Sequence, residues 1–287
     1  MVLASCRSAD RLHDALTALL PQCRTLDAEL IVARTNREPG EAADAALPEG
    51  CRLVRCPTGA TIPEIRGAGL TAATGEWIAL TEDNCVATPQ WLERLAIGFT
   101  ARNQVVGGTM GNARPTRAID GGAAFAEYGF FGPFQTPPRP GAPPLVTGAN
   151  VAYHRSIVAD VAKWALAGDW EDVIHLRLAR RGAGFQIVPG ATVEQNLSYA
   201  FGPFCRDRYE HGRDYARVRS RDLPRGRRLL LAATTPLLPP LLASRIWRSA
   251  GRAAPAAFLR SLPWTLAFLA AWAGGEAVGY LVPKSTP

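Results

Sequence analysis

The sequence predicts an α/β layer fold over its first two thirds, closed by an apolar, membrane-associated helical tail. Three observations predict it. Short apolar runs alternate with stretches of helical spacing from residue 2 to about residue 196. One of those runs, residues 77 to 80, ends abruptly in Thr81, Glu82, Asp83 and Asn84, so two adjacent carboxylates stand at the end of a buried strand. Finally, residues 262 to 282 carry a single acidic residue, Glu276, over a length close to the roughly 20 residues that cross a bilayer.

Composition bounds the answer. A chain of 287 residues with 47% hydrophobic and 20% charged residues folds, and its size suits one catalytic-sized domain plus an appendage. We place that domain at 1–222 and the hydrophobic helical segment at 223–287. Thirty-two Lys and Arg against 25 Asp and Glu leave a formal charge of +7, which points to an anionic partner. The excess lies late, in RVRSRDLPRGRR (217–228) and at Arg245, Arg248, Arg252 and Arg260, beside apolar stretches. Such a pattern reads as an anionic membrane surface, with a solvated basic face as the plain alternative. No zinc-finger spacing or aromatic-interleaved basic motif is present, so nucleic acid is not an expected partner. The six cysteines form no C-x-x-C pair and read as reduced thiols. MVLASCRSADRL is too poor in apolar residues for a signal peptide, and the soluble part is expected in the cytoplasm.

The elements follow in order. VLA (2–4) is a first strand and residues 9–20 an amphipathic helix; ELIVA (29–33), CRLVRC (51–56) and EWIAL (76–80) are further strands. TIPEIRGAGLTAATG (61–75) is a helix with Pro63 in its first turn and Gly75 past its end. Another helix spans 90–101, with Thr88 as cap and Pro89 at its first position. VVGGTMGN (105–112) is a strand, and the proline-rich stretch at 132–145 is a loop of the length that serves as a lid or binding segment. In the tail, LLLAATTPLLPPLLA (229–243) contains three prolines and is predicted to be re-entrant or interfacial. Arginines on both sides keep both flanks cytoplasmic. A pair of buried soluble helices is the alternative for the tail as a whole, and Glu276 is either satisfied by a partner helix or functional.

Ligands of open α/β sheets bind at the carboxyl ends of the strands. A carboxylate there caps the next helix, holds a cation or pairs with arginine. Thr88 is the better cap, so a hard cation such as Mg²⁺ or Mn²⁺, shared with substrate phosphates, is the attractive role for Glu82 and Asp83. In GDWEDVIHLRLARRG (168–182), Glu171 and Asp172 stand in the first turn of a helix. There they either stabilise the helix dipole or supply a general base.

Taken together these segments resemble the family 2 glycosyltransferases, inverting sugar-nucleotide enzymes of the GT-A fold. The likeness runs from about residue 2 to 222. It is carried by SADRLHDALTALLPQC, ATIPEIRGAGLTAATGEWIALTEDN, PQWLERL, TGANVAYHRS and WEDVIHLRLARRG, in order and spacing. The resemblance implies that Glu82, Asp83 and Asn84 occupy the D-x-D position, with Glu82 and Asp83 on a divalent metal and the donor diphosphate. It further implies that Arg66 and Gly69 lie beside the nucleotide, and that Gly148, Ala149 and Asn150 lie under the donor sugar and acceptor. Asp172 becomes the base that deprotonates an acceptor hydroxyl, with Glu171 as its partner. The chain departs from the pattern where Arg34, Thr35 and Asn36 end the second strand in place of an aspartate, at Asn84, and at Gln195, where a histidine is usual. His211 reads as a surface histidine, and no Q-x-x-R-W motif is present. The first strand starts almost at Met1, an expectation of a shortened N-terminus relative to the family.

The expected activity is transfer of a sugar, hexosyltransferase-like, from a nucleoside-diphosphate sugar to a lipid-linked or cell-envelope glycan. Polysaccharide biosynthesis at the cytoplasmic face of the inner membrane would fit it. A catalytically degenerate GT-A-like scaffold that binds a nucleotide sugar without turnover is the competing reading. A nucleotidyltransferase is disfavoured, because SCRSADRL lacks the glycine-rich triphosphate loop.

Overall fold

The computed structural model describes residues 1–6, 9–35, 47–112, 117–135, 144–196, 198–220 and 223–282. The chain packs as two compact units, one of residues 1–113 and 136–196, the other of 114–135 and 197–287. This division differs from the expected boundary at 222. The middle of the proline-rich stretch (136–143) and Asn36 lie outside the described residues.

The first unit is built on one eight-stranded sheet. Strands β1 (Val2–Ser5), β2 (Leu30–Arg34), β3 (Cys51–Arg55) and β4 (Trp77–Glu82) form its parallel half, in the order β3-β2-β1-β4. β1 and β2 are buried along their whole length, as strands covered on both faces must be, and so read as continuous apolar runs. Helix α1 (Ala9–Thr25) connects β1 to β2, and α2 (Ile62–Ala72) precedes β4. Thr61 and Glu64 cap α2 reciprocally, with proline in the first turn as the sequence predicts.

Beyond β4 the pairing changes direction. β5 (Cys85–Ala87), α3 (Trp91–Ile97), β6 (Val105–Asn112), β7 (Asn150–His154), α5 (Arg155–Leu166), α6 (Glu171–Arg180) and β8 (Phe185–Gln195) complete the unit, α4 (Ala118–Tyr128) belonging to the other. β7 runs antiparallel to both β4 and β6, β6 is parallel to β8, and β5 closes the edge against β8. Because β7 is antiparallel to β4, its first residue, Asn150, pairs with Thr81 near the end of β4. The segment before β7 is thereby delivered to the carboxyl end of the parallel strands. The core gathers Val2, Ile31, Ile78, Leu80, Val151 and Tyr153 with Val158, Val161 and Ile174 from α5 and α6.

Helix α3 starts later than the sequence predicts. Its N-cap is Gln90, at a φ of 64° and without a side-chain cap, and Thr88 instead donates its hydroxyl to Thr192 O at 2.7 Å. A side chain far away in sequence does the capping: Gln22 Oε1 accepts from Leu92 N at 3.0 Å.

The second unit is helical: α4, α7 (Phe201–Arg219), α8 (Arg225–Thr234), α9 (Leu238–Ser249) and α10 (Pro255–Leu281), with 3-10 turns at Gly129–Phe131, Thr235–Leu237 and Gly251–Ala253. Phe125, Phe204, Ile246, Phe258 and Phe268 form its core. Helix α7 joins this unit because glycines let its backbone meet that of α10. Gly212 faces Trp272, Gly275 faces Tyr209 and Gly279 faces Arg213, each with main-chain atoms where a Cβ would stand. The prolines of 229–243 do not break the helical run as expected. Pro236 sits in the 3-10 turn and Pro239 and Pro240 in the first turn of α9, where the missing N–H has no helical partner to lose. Two helical stretches, Arg225–Ser249 and Pro255–Leu281, are consequently long and apolar enough to cross a membrane. Glu276, buried in α10, accepts from Trp272 Nε1 at 2.6 Å and Tyr280 OH at 3.2 Å. None of the six cysteines is in a disulfide, and three of them are buried.

Gly69 lets α2 lie directly on the sheet. A Cβ there would run into Val2 Cγ1 and press on Ala33 Cβ at 3.1 Å. Gly69→Ala should therefore lower stability by about 1–3 kcal/mol despite alanine's better helix propensity, because overpacking outweighs it. Urea unfolding would measure the loss; an unchanged or raised midpoint would show that α2 can move off the sheet without cost.

Candidate active site

The strand order reverses around β1: β2 and β3 lie to one side and β4 to the other. This makes the gap between the carboxyl ends of β1 and β4 the topological switch point. The register pairs Ala4 with Glu82, which sets Ser5 and Cys6 beside Asp83. Ser5 Oγ donates to Asp83 Oδ2 at 2.8 Å and the Cys6 N–H donates to the same oxygen at 3.0 Å. Arg34, at the end of β2, donates to Ser5 Oγ at 2.5 Å. Asp83 is thus a buried carboxylate whose orientation is set by its neighbours on β1.

Glu82 turns away from Asp83, as successive residues of a strand do, and meets Arg66. The Arg66 guanidinium reaches Glu82 Oε1 at 2.5 Å through one nitrogen and Glu171 Oε2 at 2.7 Å through another. The second Glu171 oxygen accepts from the Gly148 N–H at 3.1 Å. The centre of the Trp170 ring lies 5.8 Å from the Arg66 guanidinium carbon, within cation–π range. Gly148 has to be glycine in this arrangement, since a Cβ would occupy the place of the guanidinium.

Burial alone would push the Glu171 carboxyl up, but the charge of Arg66 and three hydrogen bonds outweigh it and hold the pKa at about 2. Arg66 responds in the complementary sense. Desolvation opposes its charge, yet the two glutamates raise its pKa above the ordinary arginine value.

Asp172, the next residue, has an exposed side chain at the first turn of α6. Protein nevertheless crowds it, and lost hydration, followed by the adjacent Glu171 charge, pushes its pKa up to about 6. Its Oδ1 accepts from Val173 N at 2.8 Å. One turn further, buried His175 has Nε2 at 2.8 Å from Tyr153 OH. Burial, reinforced by nearby Arg66, pushes this imidazole down to about 4, so it is neutral at physiological pH and part of the core.

Of the residues singled out from the sequence, Arg66, Glu82, Gly148 and Glu171 form one cluster, Asp172 adjoins it, and Asp83 follows Glu82 at the end of β4, turned towards β1. Others serve the scaffold. Gly69 is a helix–sheet contact. Asn150 is fully buried and its amide is committed inside: Oδ1 accepts from Trp91 Nε1, and Nδ2 donates to Thr109 O and Ala191 O, all at 2.9 Å. Asn84 is also buried, with Oδ1 3.3 Å from Cys85 Sγ and its carbonyl accepting from Asn196 N at 2.9 Å. Arg177 pairs with Asp169 at 2.5 Å, and Trp91 is a core anchor.

Glu82, expected on a metal together with Asp83, is ion-paired with Arg66. Among the described residues no group of three or more His, Cys, Asp or Glu could hold a metal ion. The donor set fits a hard cation bound through the single oriented carboxylate of Asp83 together with substrate phosphates, the usual arrangement for Mg²⁺. The site roles of Ser5 and Trp170 escaped the sequence reading, and Arg34 stood there only as a departure from the family pattern. For Ser5 and Arg34 the only signal is their place at the carboxyl ends of strands, which acquires meaning once β1 is known to lie between β2 and β4.

No curated protein matches the chain. Among solved structures it is similar to a mannosyltransferase from Pyrobaculum calidifontis in complex with GDP-Man and Mn2+, at 13% identity. That match covers 92% of this chain and 72% of the other, with a TM-score of 0.47. It is also similar to glucosyl-3-phosphoglycerate synthase from Mycobacterium tuberculosis in complex with Mn2+ and UDP-glucose, at 12% identity. There the match covers 74% and 76% of the two chains with a TM-score of 0.43. The sequence profile of Glycosyl transferase family 2 matches residues 1–162, over half of the chain, including the switch-point strands, Arg66, Glu82, Asp83 and Gly148. This protein therefore belongs to glycosyl transferase family 2.

Proposed function

We propose that the chain transfers a sugar, of hexose type, from a nucleoside-diphosphate donor to a hydroxyl acceptor with inversion at the anomeric carbon. The observation that carries this reading is Asp172, an exposed carboxyl with its pKa raised towards neutrality, next to the ion-paired cluster of a family 2 domain. Such a carboxylate, ionised at pH 7 yet still basic, suits a general base. It takes the proton of the acceptor hydroxyl as that oxygen bonds to the anomeric carbon. The bond from that carbon to the diphosphate breaks on the opposite face, and its electron pair leaves with the diphosphate.

Arg66 and Glu171 hold the first turn of α6 in place and keep a negative charge beside Asp172 that favours proton uptake. Arg66 also brings a fixed cation towards the donor, and the Gly148 backbone allows close approach there. Asp83, oriented by Ser5 and Cys6, would hold a divalent cation together with the donor phosphates. When bound, that ion neutralises charge on the departing diphosphate.

Two helices of membrane-crossing length and apolarity and the late arginines support action at a membrane, on a lipid-linked or cell-envelope glycan. We assign the catalytic unit to the cytoplasmic face of the inner membrane, where the arginine-flanked segments would keep it. The competing reading is a nucleotide-sugar-binding scaffold without turnover. It draws on Glu82 and Asn84, which the fold employs internally.

Two experiments separate these readings. Binding of a panel of UDP-, GDP- and dTDP-sugars should be metal-dependent for one donor, and Asp83→Ala should abolish the metal-dependent part. Folded protein that binds donor but never turns over, with any hydroxyl acceptor, would favour the scaffold. In the transfer assay Asp172→Asn should lower kcat by about 10²–10⁴-fold with donor affinity retained. Wild-type kcat/KM should fall as pH drops below about 6, where the base becomes protonated. Folding raises this carboxyl's pKa, so its charge at neutral pH opposes stability, and Asp172→Asn should not lower Tm at pH 7.5. Unchanged transfer by Asp172→Asn would remove the base assignment.

A further inference from the structure

We infer that the helical unit binds an anionic phospholipid leaflet in the plane of its surface and does not cross the bilayer. The inference rests on the membrane association proposed above and specifies its mode. Charge is the first ground. Residues 223–275 contain seven arginines and no Asp, Glu or Lys, so the formal excess of +7 resides there and the rest of the chain is balanced. Among these arginines Leu229, Leu230, Leu237, Leu241, Leu259 and Trp264 are exposed. Helix α8 has no buried residue; it begins with Arg225, Arg227 and Arg228 and continues into leucines. Exposed leucines beside arginines, in a stretch of sequence that has no Asp or Glu, suit lipid headgroups above acyl chains.

Length is the second ground. Arg228 and Arg245 bound 16 uncharged residues, and Arg260 and Glu276 bound 15. At about 1.5 Å per residue these runs are roughly 24 and 22 Å long, so although each helical stretch as a whole is long enough to cross a membrane, its uncharged part is shorter than a hydrocarbon core of about 30 Å.

Packing is the third and decides the matter. From its middle to its C-terminal end α10 is pressed on α7, by Phe268 against Phe204 and then backbone to backbone through Gly212, Gly275 and Gly279. Helix α7 exposes Arg206, Asp207, Glu210, Asp214 and Arg219. A spanning α10 would have to draw these charges into the bilayer or release its closest neighbour.

The test uses the full chain with vesicles of pure phosphatidylcholine or of phosphatidylcholine with phosphatidylglycerol, plus membranes of cells expressing it. Expected are selective sedimentation with the anionic vesicles, weakening with salt, and release from the cell membranes by alkaline carbonate. The variant Arg225→Glu/Arg227→Glu/Arg228→Glu should partition about a hundredfold more weakly, with donor-sugar binding and circular dichroism showing that it is folded. Resistance to carbonate would overturn the in-plane mode while leaving membrane association intact. Equal binding to both vesicle types would overturn the recognition of anionic headgroups. Absence of binding to either, with the protein soluble in cells, would overturn both this inference and the membrane reading beneath it.

Discussion

The first unit depends on one buried cation between two anions. Arg66 reaches from α2 to Glu82 at the end of β4 and to Glu171 at the start of α6, spanning 16 and 105 positions of sequence. A buried charge is tolerated when it is paired and hydrogen-bonded, and removing one partner of such a pair typically costs about 3–5 kcal/mol. Here the network fixes three elements and the Gly148 segment at one strand end. It also holds Glu171 ionised, and that charge helps raise the neighbouring Asp172. Two consecutive carboxyls of one helical turn thereby acquire pKa values of about 2 and about 6, one locked by arginine and the other basic near neutrality.

Asp83 is governed by a second, smaller network. Ser5 and the Cys6 N–H orient it, and Arg34 orients Ser5. Through Ser5, Arg34 at the end of β2 stabilises the orientation of this strand-end carboxylate. The two acidic neighbours at the end of β4 consequently have different tasks. Glu82 is ion-paired with Arg66, and Asp83 is oriented by Ser5 and the Cys6 N–H.

The helical unit is organised by close backbone contact. Glycines at 212, 275 and 279 allow α7 and α10 to touch along their main chains, and the phenylalanine core fills the space among α4, α7, α9 and α10. Burial here consumes the small and aromatic residues, and leaves many leucines and arginines of α8, α9 and early α10 outside. A surface of that composition follows from which residues the bundle can use.

By itself the sequence determined the alternation of strands and helices, the capped α2 with its proline, the acidic strand end, and the carboxylate pair opening α6. Each rests on local periodicity, capping chemistry or the helix dipole, which neighbouring residues decide. Tertiary structure alone decided which role each polar residue took. Asn150 was spent on Trp91, Thr109 and Ala191, Gly69 on Val2 and Ala33, and Glu82 on Arg66. Those partners come from other strands and helices and are set by pairing order and register. The membership of α7 is of the same kind. Residues 201–219 precede the boundary expected at 222, yet backbone contact through Gly212, Gly275 and Gly279 packs α7 on α10 in the second unit.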